Sequence, residues 1–167
     1  MALSVSDLDA SVGFYTDLLG LRVSDRMAYP SDSPLLEGAW LRCGADHHCL
    51  VLFSLRRPVE PPPGLAVGLH HLAFEVGTFD DLFAAYRTIR ARELPVEARV
   101  GGPGWQVRLY FHDPDGNQVE LYWDMDRIGW DGRSRPFVPI EVIDLESFDI
   151  DAYLALKAAY GPHPGPP

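Results

Sequence analysis

The chain has 167 residues, of which 47% are hydrophobic and 23% are charged, and its formal net charge at pH 7 is −10. This length and composition suit one globular domain and exclude a disordered tail, a collagen and a coiled coil. The acidic excess repels phosphate backbones and anionic lipid, so we expect neither nucleic acid nor a membrane as a partner. No apolar run approaches the roughly 20 residues that span a bilayer, and the first residues carry no export signal. With two cysteines, Cys43 and Cys49, the protein is expected to be cytoplasmic and to lack a disulfide framework.

Proline-rich sequence divides the chain into parts. The run RPVEPPPG from Arg57 to Gly64 cannot belong to a helix or an inner strand, so it predicts a linker. The stretches on either side form two modules of one predicted domain, residues 1–124. A C-terminal extension with a short helix follows, and then a tail that we expect to be disordered. The first module is residues 1–57, the linker 58–67 and the second module 68–124. The extension is residues 125–160 and the tail 161–167.

Both modules predict the same order of elements, β-α-β-β-β. The first helix is capped within Ser6–Asp9 and closed by Gly20, and the second is capped by Thr78 or Asp80. A third, short amphipathic helix is predicted over 149–160. The strand-like runs are residues 1–5, 21–28, 39–43, 48–55, 71–76, 96–100, 106–112 and 117–123.

The repeated order extends to individual residues. When the first module is shifted by 71 positions along the sequence, several of its residues coincide with identical residues of the second module. The same shift places the first helix cap on the second and the strands of one module on those of the other. We therefore predict an internal duplication. The identities are Ala2 with Ala73, Val5 with Val76, Asp9 with Asp80, and Tyr15 with Tyr86.

Side chains alternate across a strand, so each strand of the second module has an apolar and a polar face. A solvated sheet face is one interpretation of the polar side, because alternating antiparallel strands commonly have one. A functional site is the other, because the residue types include those that bind metals and move protons. Arg108 shares the polar face of its strand. The candidates on these faces are His71, Tyr110, His112, Gln118, Glu120 and Tyr122.

The paired modules, with HHLAFEV opening the second and DPDGNQVELY closing it, resemble the vicinal oxygen chelate superfamily. This superfamily includes glyoxalases, bleomycin-resistance proteins and dioxygenases, and the resemblance covers residues 1 to about 124. It implies an α+β fold in which two βαβββ modules pair into an open, cup-shaped, largely antiparallel sheet with the helices outside.

The resemblance implies that His71 and Glu120 are metal ligands. An imidazole and a carboxylate suit Fe(II), which is the expected ion, with Mn(II) and Zn(II) as alternatives. A packed structural histidine is the alternative interpretation of His71. The third ligand of the superfamily would lie one residue before Met1, because the shift gives 71 − 71 = 0. Either a residue upstream of the numbered chain supplies it, or the site is incomplete.

Two further features are similar to one-domain extradiol ring-cleaving dioxygenases. The pair His47-His48 matches one in which the second histidine is the acid–base catalyst, and Tyr110 lies ten residues before Glu120. The implied function is metal-dependent cleavage of a small catechol-like aromatic with O₂. The expected partners are therefore this aromatic substrate and O₂, together with further copies of the chain in a homo-oligomer.

Other features depart from that pattern and leave alternatives open. Many of these dioxygenases carry His and Asp nine and six residues before the tyrosine, where this chain has Gly101 and Gly104. Glyoxalase is disfavoured, because Cys49–Leu55 lacks the glutamate ligand that it takes from this strand. The alternatives are a metal-free ligand-binding protein, as in bleomycin resistance, or a glyoxalase- or isomerase-type member of the superfamily.

Overall fold

A computed structural model describes residues 1–57, 59, 68–102, 105–124 and 138–160. The predicted tail and, apart from Val59, the predicted linker lie outside the described residues. Within the described ranges, none of the helices has both the length and the apolar content needed to cross a membrane.

The chain divides into two compact units. Unit 1 consists of Met1–His70 and His112–Gln118, and unit 2 consists of His71–Phe111 and the described residues from Val119 onward. The short segment His112–Gln118 contains the turn of the closing hairpin, so the second module contributes this turn to unit 1. Each unit is built around one β-sheet.

Unit 1 contains a four-stranded sheet in the order β1-β4-β3-β2. Strand β1 is parallel to β4, and the other pairs are antiparallel. Helix α1 begins where the Asp7 side chain accepts a hydrogen bond from Ala10 N at 3.0 Å, and it ends at Gly20. Its buried side chains include Leu8, Tyr15 and Leu18. The elements are β1 (Ala2–Val5), α1 (Leu8–Leu19), β2 (Arg22–Ala28), β3 (Leu35–Arg42) and β4 (Leu50–Leu55).

Unit 2 contains a five-stranded sheet in the order β5-β8-β7-β6-β9. Strand β5 is parallel to β8, whereas β6 is antiparallel to both β7 and β9. Thr78 caps helix α2 by accepting a hydrogen bond from Asp81 N at 3.1 Å. The elements are β5 (Leu72–Glu75), α2 (Phe79–Ala91), β6 (Glu97–Gly102), β7 (Gln106–His112), β8 (Gln118–Asp124), β9 (Val138–Ile143) and α3 (Ile150–Tyr160).

The α+β class and the repeated β-α-β-β-β order are confirmed. Strand β4 begins at Leu50, two residues after the predicted start, which leaves His48 in the preceding loop. Strand β9 was not predicted, because it is a short run that contains Pro139. A proline lacks the N–H needed inside a sheet and is tolerated at its edge, which is where β9 lies.

Candidate functional site

The imidazole of His71 lies against the carboxylate of Glu120 in unit 2. His71 directly precedes β5, and Glu120 is inside the parallel strand β8, where it pairs with Ala73. Nε2 of His71 is 2.8 Å from Oε2 of Glu120, and the two side chains are 31% and 8% exposed. Two chemically active side chains from neighbouring strands therefore meet at the edge of the protein interior.

Tyr110, on the neighbouring strand β7, extends this pair to three residues. Its ring is edge-on to His71, with 6.1 Å between ring centroids and 89° between ring planes. Burial and then the negative charge of Glu120 raise the pKa of the Tyr110 hydroxyl, while the positive charge of Arg108 opposes this shift. The hydroxyl therefore keeps its proton at neutral pH, where it can donate a hydrogen bond.

The donor atoms of His71 and Glu120 fit a divalent metal ion. Imidazole nitrogen and carboxylate oxygen are ligands of Fe(II), Mn(II) and Zn(II). Two ligand bonds of about 2.1 Å at a right angle separate their donor atoms by about 3 Å. The observed separation of 2.8 Å is close to this value. Within the described part of the chain, no group of three His, Cys, Asp or Glu side chains converges as a metal site.

In unit 1, an apolar residue occupies the sheet position that corresponds to Glu120. Under the 71-residue shift, Ala73 corresponds to Ala2, and Ala2 pairs with Val51 of β4. Val51 is buried, and the sequence of β4, LVLFSL, contains no carboxylate. Strand β4 therefore supplies no carboxylate at the position that corresponds to Glu120.

His48 lies in unit 1, in the loop between β3 and β4, whereas the other three predicted site residues lie in unit 2. Its side chain is exposed. Nδ1 of His48 is 3.0 Å from Nδ1 of His47, and the two rings are edge-to-face. A hydrogen bond between these nitrogens constrains the orientation of both rings in the loop.

Arg108 is a polar residue near the site that sequence analysis did not select. It shares the strand face of Tyr110 and is only 8% exposed. Charged side chains on the polar face of a sheet are expected to be solvated. The burial of Arg108 could therefore not be predicted from the alternation of polar and apolar residues along the strand. The one available signal was its position, two residues before Tyr110.

Gly101, the sequence position at which many dioxygenases of this resemblance carry a histidine, lies against strand β9. Its φ is +98°, and a Cβ at this residue would be 2.1 Å from the carbonyl oxygen of Pro139. No side chain other than hydrogen fits between β6 and β9 at this point. Gly104, the second such position, lies outside the described residues.

The DPDGN motif forms a hydrogen-bonded turn centred on Asp113. One carboxylate oxygen of Asp113 accepts from the backbone N–H groups of Asp115, at 3.0 Å, and Asn117, at 2.8 Å. The carboxylate of Asp115 in turn accepts from the backbone N–H of Ser6, at 3.1 and 3.2 Å to its two oxygens. These contacts give the motif a structural role within unit 1, namely to fix this turn against the start of the chain.

Comparison with known proteins supports the assignment of the fold. The family model for the Glyoxalase/Bleomycin resistance protein/Dioxygenase superfamily matches residues 1–121. A solved glyoxalase family protein from Enterococcus faecalis is 27% identical with a TM-score of 0.57, and the match covers 73% of this chain and 93% of that chain.

The relatives that are named as dioxygenases include two from Rhodococcus. Biphenyl-2,3-diol 1,2-dioxygenase 3 of Rhodococcus globerulus is 34% identical over 130 residues, which cover 73% of this chain and 60% of the relative. An iron-dependent extradiol dioxygenase of Rhodococcus jostii is 31% identical over 133 residues, which cover 72% of this chain and 41% of the relative. The match therefore spans about half the length of these relatives. The chain belongs to the Glyoxalase/Bleomycin resistance protein/Dioxygenase superfamily.

Proposed function

We propose that this chain is a metal-dependent extradiol-type dioxygenase that cleaves a small catechol-like aromatic with O₂. The observation that carries the proposal is the 2.8 Å contact between His71 Nε2 and Glu120 Oε2, with the Tyr110 ring edge-on to the imidazole. The names of the two dioxygenase relatives support the reaction type. The two unbridged cysteines suit a reducing compartment, so the proposed place of action is the cytoplasm.

In this proposal His71 and Glu120 hold the metal ion. Fe(II) is the first choice, since one relative is named as iron-dependent, and Mn(II) and Zn(II) suit the same donors. A divalent ion bound there would lower the pKa of the two catechol hydroxyl groups and accept their oxygens as ligands. Glu120 is the more buried of the two residues, so its negative charge has the greater need of a compensating cation.

Tyr110 acts as the hydrogen-bond donor to the substrate in this proposal. Because burial and Glu120 raise the pKa of its hydroxyl, the proton stays on Tyr110 throughout the neutral pH range. A donor aimed at a ring oxygen stabilises the negative charge that develops there. Its edge-on contact with His71 sets the distance between this donor and the metal-binding pair.

His48 is the proposed acid–base residue, a role that histidine fills more often than other side chains. Its hydrogen bond with His47 gives it a neighbour through which a proton can be exchanged. Since His48 belongs to unit 1 and the other residues to unit 2, this assignment depends on the resemblance to the dioxygenases.

Metal binding is the first test. The full chain is purified without oxygen, incubated with Fe(II), Mn(II) or Zn(II), dialysed and analysed for metal content. We expect one equivalent in the wild type and loss of the metal in Glu120→Gln. Glu75→Gln is the matched control, because Glu75 is an exposed carboxylate of β5 in the same unit, and it should bind metal normally.

Ring cleavage is the second test. The loaded protein is mixed with oxygen and a panel of catechols, and the yellow ring-fission products are followed by their absorption. Accumulation of such a product, lost in Glu120→Gln, supports the proposal. A wild-type protein that takes up none of the three metals overturns it.

A metal-free ligand-binding protein is the second candidate. One observation favours it: no third metal-binding side chain joins His71 and Glu120 within the described ranges. The same experiment separates the two functions. A chain that binds aromatic compounds equally well with and without metal, and cleaves none of them, supports the second candidate.

A further inference from the structure

Arg108 is a buried cation in the polar face of β7. Only 8% of the residue is exposed, although arginine is almost never buried unless it is paired. It faces Arg99 directly across the ladder between β6 and β7. Two like charges in opposite positions of an antiparallel pair are destabilising. Negative charge near both guanidinium groups would therefore stabilise this arrangement.

The two arginines differ in how that need is met. Arg99 forms an ion pair with Glu97 and remains 41% exposed. Among the described residues, no carboxylate forms an ion pair with Arg108. One of its terminal nitrogens, Nη2, donates to the carbonyl oxygen of Gly101 at 2.7 Å, and its buried Nε has no partner within the described ranges. The buried Nε is therefore a guanidinium donor that is left unsatisfied.

The backbone beside Arg108 is shaped to leave room for its guanidinium. Gly102 has a positive φ of +77°, and a Cβ on this residue would lie 2.9 Å from Arg108 Nη2. The hydrogen bond to the carbonyl oxygen of Gly101 holds the end of the arginine in the space that Gly102 leaves open. A fixed guanidinium loses little further freedom when it binds an anion, and its planar fork matches a carboxylate.

Arg108 also lies close to the proposed metal-binding pair. It is two residues from Tyr110 on the same face of β7, which corresponds to about 7 Å along a strand. Tyr110 in turn contacts His71 edge-on.

We propose that Arg108 binds a carboxylate group of the aromatic substrate, which makes the substrate class a catechol with an acidic side group. The proposal rests on the proposed function for the catechol part of the substrate, whereas the carboxylate contact requires no metal. In this arrangement the carboxylate supplies the anion that Arg108 lacks among the described residues. The aromatic ring then lies beside Tyr110, and its hydroxyl groups face His71 and Glu120.

The test compares acids with their esters. The metal-free full chain is titrated calorimetrically with 3,4-dihydroxybenzoate and 3,4-dihydroxyphenylacetate, and then with the methyl ester of each. We expect at least one acid to bind about tenfold tighter than its ester, because a buried charge-assisted pair forms with the acid alone. Equal affinity for acid and ester with both compounds overturns the proposal.

Two variants locate the contact. Arg108→Met should abolish the preference for the acid, while Arg99→Met, the matched control on the same sheet face, should keep it. If Arg108→Met does not fold, Arg108→Lys retains the charge but loses the planar fork, and the acid preference should fall. A preference that survives unchanged in the folded Arg108 variant overturns the proposal. Inorganic phosphate that competes as well as the catechol acid also overturns it, since a general anion site would then be present.

The outcomes separate this inference from the proposed function. A clear acid preference without any ring cleavage supports the role of Arg108 and overturns the dioxygenase. Ring cleavage of catechols without any acid preference overturns the role of Arg108 and leaves the dioxygenase in place.

Discussion

The hydroxyl of Tyr15 donates a 2.8 Å hydrogen bond to Oδ2 of Asp113, and the two residues are separated by 98 positions in the sequence. Tyr15 belongs to α1, and Asp113 opens the turn between β7 and β8. Both side chains are buried. The bond therefore connects the first helix to the turn that follows β7, and both belong to unit 1.

Removing this hydroxyl should destabilise the protein. Tyr15→Phe leaves one oxygen of a buried carboxylate without one of its donors, although Asn117 Nδ2 still donates to it at 3.0 Å. We expect the free energy of unfolding to fall by about 1–3 kcal/mol in urea denaturation. Tyr29→Phe is the control, because Tyr29 is less buried, and its effect should stay within about 0.5 kcal/mol. Equal effects of the two substitutions would contradict the role of the bond.

Alkaline pH should reduce the stability that Tyr15 contributes to the folded chain. Burial, followed by the charge of Asp113, raises the pKa of Tyr15 well above the ordinary value of 10.0. Below this ordinary value, both the folded and the unfolded chain hold the tyrosine proton. Above it, the unfolded chain loses the proton while the folded chain retains it, so stability falls as the pH rises. The stability advantage of the wild type over Tyr15→Phe should therefore shrink above about pH 10. An advantage that stays constant from neutral to alkaline pH would rule out this linkage.

Gly101 should not tolerate a side chain. Gly101→Ala places a Cβ 2.1 Å from the Pro139 carbonyl oxygen and forces a residue with a side chain into φ +98°. We expect a loss of at least about 2 kcal/mol in thermal or urea unfolding. Gly13→Ala in α1 is the control, since nothing lies within 4 Å of its Cβ position. It should stabilise the chain by about 0.5–1 kcal/mol, because alanine is the better helix former. A neutral Gly101→Ala would mean that β9 does not pack against β6 as described.

Substitution of His48 should lower the turnover without removing the metal, unlike substitution of Glu120. His48→Ala removes a proton acceptor without touching the metal-binding pair, so the metal content should be unchanged while kcat falls by roughly 10²- to 10⁴-fold. His47→Ala removes only the neighbour that orients His48, so it should lower kcat by less than His48→Ala does. A His48 variant with normal turnover would show that the acid–base residue lies elsewhere.

Local sequence signals predicted much of the fold. Thr78 was one of two candidate caps, and it starts α2 because its hydroxyl accepts from Asp81 N. The Asn-and-Asp-rich sequence DPDGN predicted the turn that Asp113 organises. Alternation along the strands assigned Tyr110 and Glu120 to polar faces, and the fold brings His71 against Glu120. These features depend on residues close in sequence or on the two-residue period of a strand.

Features that depend on distant parts of the chain were not predictable in this way. The burial of Arg108 arises from tertiary packing, which alternation along β7 does not report. Strand β9 gains its hydrogen bonds from β6, about 40 residues earlier, and its own sequence has a weak pattern interrupted by Pro139. His48 was expected at the start of a strand, but the strand begins at Leu50. Because side chains alternate between two faces only within a strand, alternation does not predict the direction of a histidine in a loop.

The family match ends at residue 121, but the sheet of unit 2 continues into β9. A recombinant fragment trimmed to the family boundary would leave the N–H and C=O groups of β6 along its β9-facing side unpaired. An open strand edge is a template for pairing with another chain, so the trimmed fragment should aggregate or exchange strands. The extension is therefore a built-in protection of the sheet, and any minimal version of this protein has to retain residues through β9.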